Sequence, residues 1–177
     1  MKESAGGTAW RVALFTLIVA SIFWLGSGTV RLLMGSDLLQ SGTLEFEPYL
    51  SPDSEREIYR LLSMASLLQI PAYIITIISS VAFLAWSPYR LKDHGWLMAG
   101  AILLYVFVPV EAFVMMLDGR MVYLEFFTTA DRMAFRELFL ARAGALGGVP
   151  FVAQLCYYTI VGLAVFQPFR RAGGGGT

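Results

Sequence analysis

From Leu61 to Trp86 the chain runs without a single charged residue. Three more stretches are nearly as apolar: Trp10–Met34 and Trp96–Leu117, interrupted only by Arg11, Arg31 and Glu111, and Leu146–Phe169, which has no charge. Crossing a bilayer core takes about 20 apolar residues in helical form. Helix is the form these stretches can take, because the strand alternation of a closed barrel is missing. Composition agrees. Hydrophobic residues make up 57% of the chain and charged residues 15%, against about 25% charged in a soluble domain. The expected fold is all-α, a polytopic integral membrane protein with four transmembrane helices. The first stretch is too long for a signal-peptide core and no small-residue cleavage site follows it, so it reads as a retained span.

Orientation follows from the positive charges beside the spans. With the N-terminus inside, the inner segments hold Lys2, Arg11, Arg90, Lys92, Arg170 and Arg171. The outer side holds Arg56, Arg60, Arg120, Arg132, Arg136 and Arg142, with Arg31 near the outer end of span one. The inner charges are packed into very short segments such as PYRLK and PFRR, whereas the outer ones are diluted among acids. Both termini are therefore expected in the cytoplasm. Trp10, Trp86, Trp96 and Tyr89 would form an aromatic belt at the inner interface. Arginine far outnumbers lysine, which fits a GC-rich bacterial genome and a bacterial inner membrane.

The chain also repeats itself. LEF occurs at 44–46 and at 124–126, and Arg56-Glu57-Ile58-Tyr59 is echoed by Arg136-Glu137-Leu138-Phe139. Asp53 matches Asp131, Pro71 matches Pro150, Pro88 matches Pro168 and Arg90 matches Arg170, all at separations of 78 to 80 residues. Any two apolar helices share letters, but not this series of polar and proline marks in one order. The expected organisation is a cytoplasmic segment 1–9, a first repeat 10–92, a second repeat 93–171 and a flexible glycine-rich tail 172–177. Each repeat contributes one helical hairpin, giving two tandem hairpins related as a parallel repeat about an axis along the membrane normal.

Each hairpin carries an outer helical segment. Ser51-Pro52 reads as an N-cap followed by proline in the first helical position, with Ser54 and Glu57 a further capping box one register on; Thr128 and Asp131 have the same spacing. From Pro52 to Trp86 a helix would run about 52 Å, longer than the bilayer core. It must project outside or bend at Pro71. Gly147-Gly148 before Pro150 would break its counterpart more sharply.

Functional residues are few. Glu111, in the third span two residues after Pro109, is an acid at membrane depth, and such acids default to a functional reading. It could be protonated within the bundle, paired with Arg31, or part of a proton, cation or substrate path. Arg56-Glu57 and Arg136-Glu137 are candidates for outer-side docking, beside aromatic segments such as LEFEPYL and VYLEFF. Gly26, Ser27 and Gly28 permit close helix approach. The lone Cys156 excludes an internal disulfide, and the lone His94 excludes bis-histidine haem ligation within the chain. No metal site, cofactor or catalytic constellation is expected, and zero net charge gives no reason to invoke nucleic acid. The expected function is non-catalytic: an accessory or structural subunit packed against a larger membrane complex, in contact with the lipid bilayer and other membrane subunits. The alternative is a small transporter or channel with Glu111 in a proton or cation pathway, for which a homo-oligomer would enlarge the lumen. A membrane enzyme acting on lipid or quinone would need polar groups converging at one depth, and Glu111 and Arg31 are the candidates.

Overall fold

The computed structural model describes residues 3–40, 42–128 and 132–168. It is all-helical, with no strand among the described residues beyond an isolated bridge between Leu39 and Phe46. The helices are α1 (Glu3–Ser36), α2 (Pro52–Trp86), α3 (Gly95–Val106), α4 (Val108–Phe127), α5 (Arg132–Ala143) and α6 (Val149–Phe166), with short 3-10 turns at Leu91–Asp93 and Ala145–Gly148. Helices α1 and α2, and the helical course Arg132–Phe166, are long and apolar enough to cross a membrane; α3 and α4 pass that test together, making up to four segments. The tail 172–177, Lys2, Arg170, Arg171 and the Thr128–Asp131 cap involve positions outside the described residues.

Prolines decide where these helices run and break. Ser51 caps α2 by accepting the Ser54 N–H at 3.1 Å, with Pro52 opening the helix, so the second capping register is not the one used. Pro71 lies inside α2 without ending it. Pro109 sits in the first turn of α4, and the course from α3 to α4 bends by 41° there. A proline ring cannot donate to the carbonyl four residues back and crowds it, which accounts for a bend at Phe107. The third apolar segment accordingly does not end at Leu117. Helix α4 carries on to Phe127 and takes in Asp118-Gly119-Arg120, which reads as loop in sequence. The break expected before Pro150 is present. Leu146, Gly147 and Gly148 all have positive φ (52°, 58° and 90°), and Gly148 caps α6.

The bundle interior mixes apolar clusters with polar residues, and its outer surface is apolar. Helices α2 and α4 are central; α1 packs along α2, and α6 packs along α3. The buried face of α2 sets Ser63, Ser66, Gln69, Thr76, Ser79 and Ser80 among Tyr59, Leu62, Ala72, Tyr73 and Phe83. Ser66, Thr76 and Ser79 donate to the carbonyl one turn back, at 2.6–2.9 Å, and Ser80 reaches Tyr105 on α3 at 2.9 Å. The large residues Leu67, Ile74, Ile78 and Val81 on the same helix face outward. Small hydroxyl residues that satisfy themselves allow close helix contact in a medium where apolar side chains gain nothing by hiding. The outer helices are the least covered: 17% of the most apolar window of α1 and 11% of that of the α5–α6 course are buried, against 39% for α2.

Two apolar clusters close the ends. At one end Ala13, Phe83 and Leu97 pack with Trp10 and Trp96, and Trp10 meets Tyr89 edge-on at 6.0 Å, so the aromatic residues expected as a belt share one level. At the other end Leu38, Tyr59, Leu62, Met121, Phe135 and Phe139 form a core over which the 37–50 loop folds Leu39, Phe46 and Leu50. The amphipathic α5 belongs to this end.

Two glycines should respond oppositely to alanine. Gly148→Ala forces a Cβ into a positive-φ position and should cost about 1–2 kcal/mol. Gly119→Ala, in the regular helix α4 with open space at its Cβ, should be neutral or stabilise by up to about 1 kcal/mol. Reversible unfolding in mixed micelles checks both.

Candidate functional site

At the loop end of the bundle four helices bring polar side chains to one point. Asp118 on α4 is fully buried and is shared by two arginines. Arg31 on α1 donates Nη2 to its Oδ1 at 2.6 Å and lies 2.5 Å from Oδ2 through Nη1. Arg142, in the last turn of α5, donates Nε to Oδ1 at 2.9 Å. Gln69 on α2 takes the other bond of Arg31 Nη1 at 3.1 Å. Only Arg31 Nε is left buried without an acceptor among the nitrogens of that guanidinium. Arginine suits this position because its planar fork holds a carboxylate and an amide at once and stays charged. Helix α5 stops just past Arg142, where Gly144 N–H closes on Leu140 at 2.8 Å and a Cβ would press on that carbonyl at 3.3 Å.

Beneath this cluster lies a cavity of about 390 Å³. It descends from the 37–50 loop, past Arg31, Gln69 and Arg142, to Trp24, Glu111 and Tyr157. Glu111 and Asp118 are seven residues apart on α4, two turns on one face, so both acids look into the same interior. Trp24 rests between Tyr73 and Tyr157, with ring centroids 4.9 and 4.6 Å away. Both tyrosine hydroxyls are buried without a hydrogen bond of normal geometry, and both lie in the field of Glu111. On the outer side the cavity is closed by a bridge from α6 to α1: Thr29 meets Tyr158 at 2.6 Å and accepts from Gln154 at 3.1 Å. Gly28 makes room there, since a Cβ would sit 3.4 Å from Gln69 Nε2.

A second ion cluster ties α5 to α2. Glu55, fully buried, takes Arg136 in bidentate fashion, Nε at 2.6 Å and Nη2 at 2.9 Å. Arg132 approaches it to 3.8 Å and the Tyr59 hydroxyl donates to it. Tyr59 stacks on Phe135 at 4.1 Å, and Arg136 lies 4.5 Å over the Phe46 ring. Arg56 stands 4.0 Å from Glu125.

The structure therefore places the expected site residues unevenly. Arg31 and Glu111 line one cavity, but the carboxylate partner of Arg31 is Asp118. Arg136 pairs with Glu55 and Arg56 approaches Glu125, while Glu57 and Glu137 are exposed. Of the aromatic outer segments, Phe46 and Leu50 are partly buried against the end core, whereas Tyr49 and Phe127 are exposed, Phe127 stacking on Tyr123 at 5.9 Å. Sequence reading missed Asp118 and Glu55. The spacing Glu111…Asp118 is the signal that could have found the first, had α4 been carried past Leu117. Glu55 has a weaker one, Tyr59 one turn on. Among the described residues no group of three His, Cys, Asp or Glu is placed to hold a metal. Comparison of the chain with family models, with curated proteins and with solved structures finds no match.

Removing Asp118 should leave two cations facing each other. Breaking a buried pair by deleting one partner costs about 3–5 kcal/mol. Asp118→Asn should lower stability in mixed-micelle unfolding by that order, whereas Glu137→Gln, at an exposed position, should change it by less than about 0.5 kcal/mol.

Proposed function

We propose that the chain is a non-catalytic, four-span membrane protein of a bacterial inner membrane, with both termini cytoplasmic, that serves as an accessory subunit of a larger membrane assembly. The observation that carries this reading is how the buried charges are spent. Asp118 and Glu55 are each held by arginines from other helices, so these interior charges fasten helices together. Helices α1 and α6 meanwhile leave broad apolar faces outward, toward lipid or a neighbouring subunit. A tandem repeat supports the architecture: Arg56 and Arg136, its equivalents, each reach an acid in the opposite half, Glu125 and Glu55. The two acids are not equivalent in the repeat, since Glu125 matches Glu45 and Glu55 matches Phe135, so these pairs tie the two halves together without being related by the two-fold.

A second reading, a small transporter or channel, is favoured by one feature. Glu111 is buried, lines the cavity and has no arginine within ion-pair distance.

Purification from native membranes in a gentle detergent, followed by mass spectrometry, tests the first reading. A larger membrane protein should accompany the chain in fixed stoichiometry; a homogeneous species of this chain alone overturns it. Glu111→Gln then separates the two readings. It should leave co-purification intact, and loss of a transport activity with assembly preserved would favour the pathway.

A further inference from the structure

We propose that the cavity beneath Arg31 and Arg142 binds the anionic headgroup of an amphiphile, with sulfonate-, carboxylate- or phosphate-type oxygens on the arginines and the chain leaving between α1 and α6. The site is independent of whether the protein works alone or as a subunit.

The argument begins with charge. Two guanidiniums share one carboxylate, Asp118, which leaves the group one positive charge in excess. An excess positive charge at the membrane surface attracts anionic groups. Glu111 is the acid nearest in the cavity, but it forms no ion pair with either arginine. Compensation is therefore left to whatever occupies the space between. Both arginines line that space: Arg142, a quarter exposed, uses only Nε on Asp118, while Arg31 Nε is buried with no acceptor. Guanidinium donors in that arrangement are suited to a planar or tetrahedral oxyanion.

Size and depth fit an amphiphile. A cavity of about 390 Å³ falls in the range of small-molecule sites, roughly 300–1,000 Å³. Arg31 lies 21 residues above Trp10 on α1, about 32 Å along the helix, and so one bilayer-core thickness from the aromatic end. That is headgroup level. The walls at this level are Leu25, Leu32, Leu39, Leu44, Phe139 and Phe151. Leu32 and Phe151 are half exposed on the outer surface, which gives an acyl chain a way out above the Thr29–Gln154–Tyr158 bridge.

Glu111 makes the site proton-linked. The groups around it are Arg142 from α5, Tyr157 from α6, Tyr73 from α2 and Asp118 on its own helix, with the uncharged Trp24 from α1. Ionised, Glu111 supplies the missing negative charge and competes with a bound anion. Protonated, it leaves the arginines to the ligand and can itself donate a hydrogen bond. Anion affinity therefore rises as pH falls.

The test uses the full chain in nanodiscs of zwitterionic lipid with Trp24 as the sole tryptophan (Trp10→Phe, Trp86→Phe, Trp96→Phe). The probe is decanesulfonate, whose charge does not titrate, and the readout is Trp24 emission. A saturable change is expected, unmatched by decyltrimethylammonium. Arg142→Gln should weaken it at least tenfold, and Glu111→Gln should bind at least as well as wild type and flatten its pH dependence. An equal response to decyltrimethylammonium would make this a cation site at Glu111 and overturn the proposal. So would a linear, non-saturating response. Inorganic phosphate acting at the same concentration as decanesulfonate would assign the site to a free anion and sink the amphiphile reading. If Arg142→Gln does not fold, Arg142→Lys decides, because it keeps the charge and removes the guanidinium fork: affinity for decanesulfonate unchanged from wild type would overturn the proposal.

Discussion

Two arginines on one carboxylate hold this bundle together at its loop end. Arg31, Asp118 and Arg142 belong to α1, α4 and α5, and Gln69 adds α2, so four of the six helices meet through one group of atoms. In lipid the hydrophobic effect does not tell helices where to dock, since a leucine against a leucine is no better than a leucine against an acyl chain. Directional bonds must supply that information. The depth at which Asp118 sits sets the rotation of α4, and with it the direction in which Glu111 points.

The rest of the interior follows the same logic in weaker form. Ser66, Thr76 and Ser79 bond to their own helix, so α2 can be buried without needing a partner for each hydroxyl. The aromatic stack Tyr73–Trp24–Tyr157 fills the middle of the bundle with shape rather than charge. Glu55 and its arginines repeat the ion-cluster device at the outer edge, where Arg132 and Arg136 are partly open to water and each contact contributes less.

Much of this was legible in the amino-acid order. The apolar stretches, the Ser51 cap and the turn at Gly147-Gly148 are local features with local causes. The ion clusters were not legible in the same way. Asp118-Gly119-Arg120 has the composition of a turn, and nothing within a few residues says that α4 continues through it. The partner that marks Asp118 as interior is Arg31, 87 residues away. Glu55 likewise looks like one charge among several in DSEREIYR, and only Arg136, 81 residues later, marks it as buried. Long-range pairing of single charges leaves no periodic trace.

The wide separation of Arg31 from its partners has a temporal side. Synthesis proceeds at about 5–20 residues per second, so Asp118 leaves the ribosome roughly 4–17 seconds after Arg31, and Arg142 later still. The first hairpin is complete only once Trp86 has been made, 55 residues after Arg31, and from then until Asp118 emerges Arg31 lacks its carboxylate. Its position near the helix end lets the side chain reach upward to lipid phosphates and water in the meantime. Pairing with Asp118 is thus also the step that withdraws Arg31 from the membrane surface, and it precedes the arrival of Arg142 and α6, which complete the bundle.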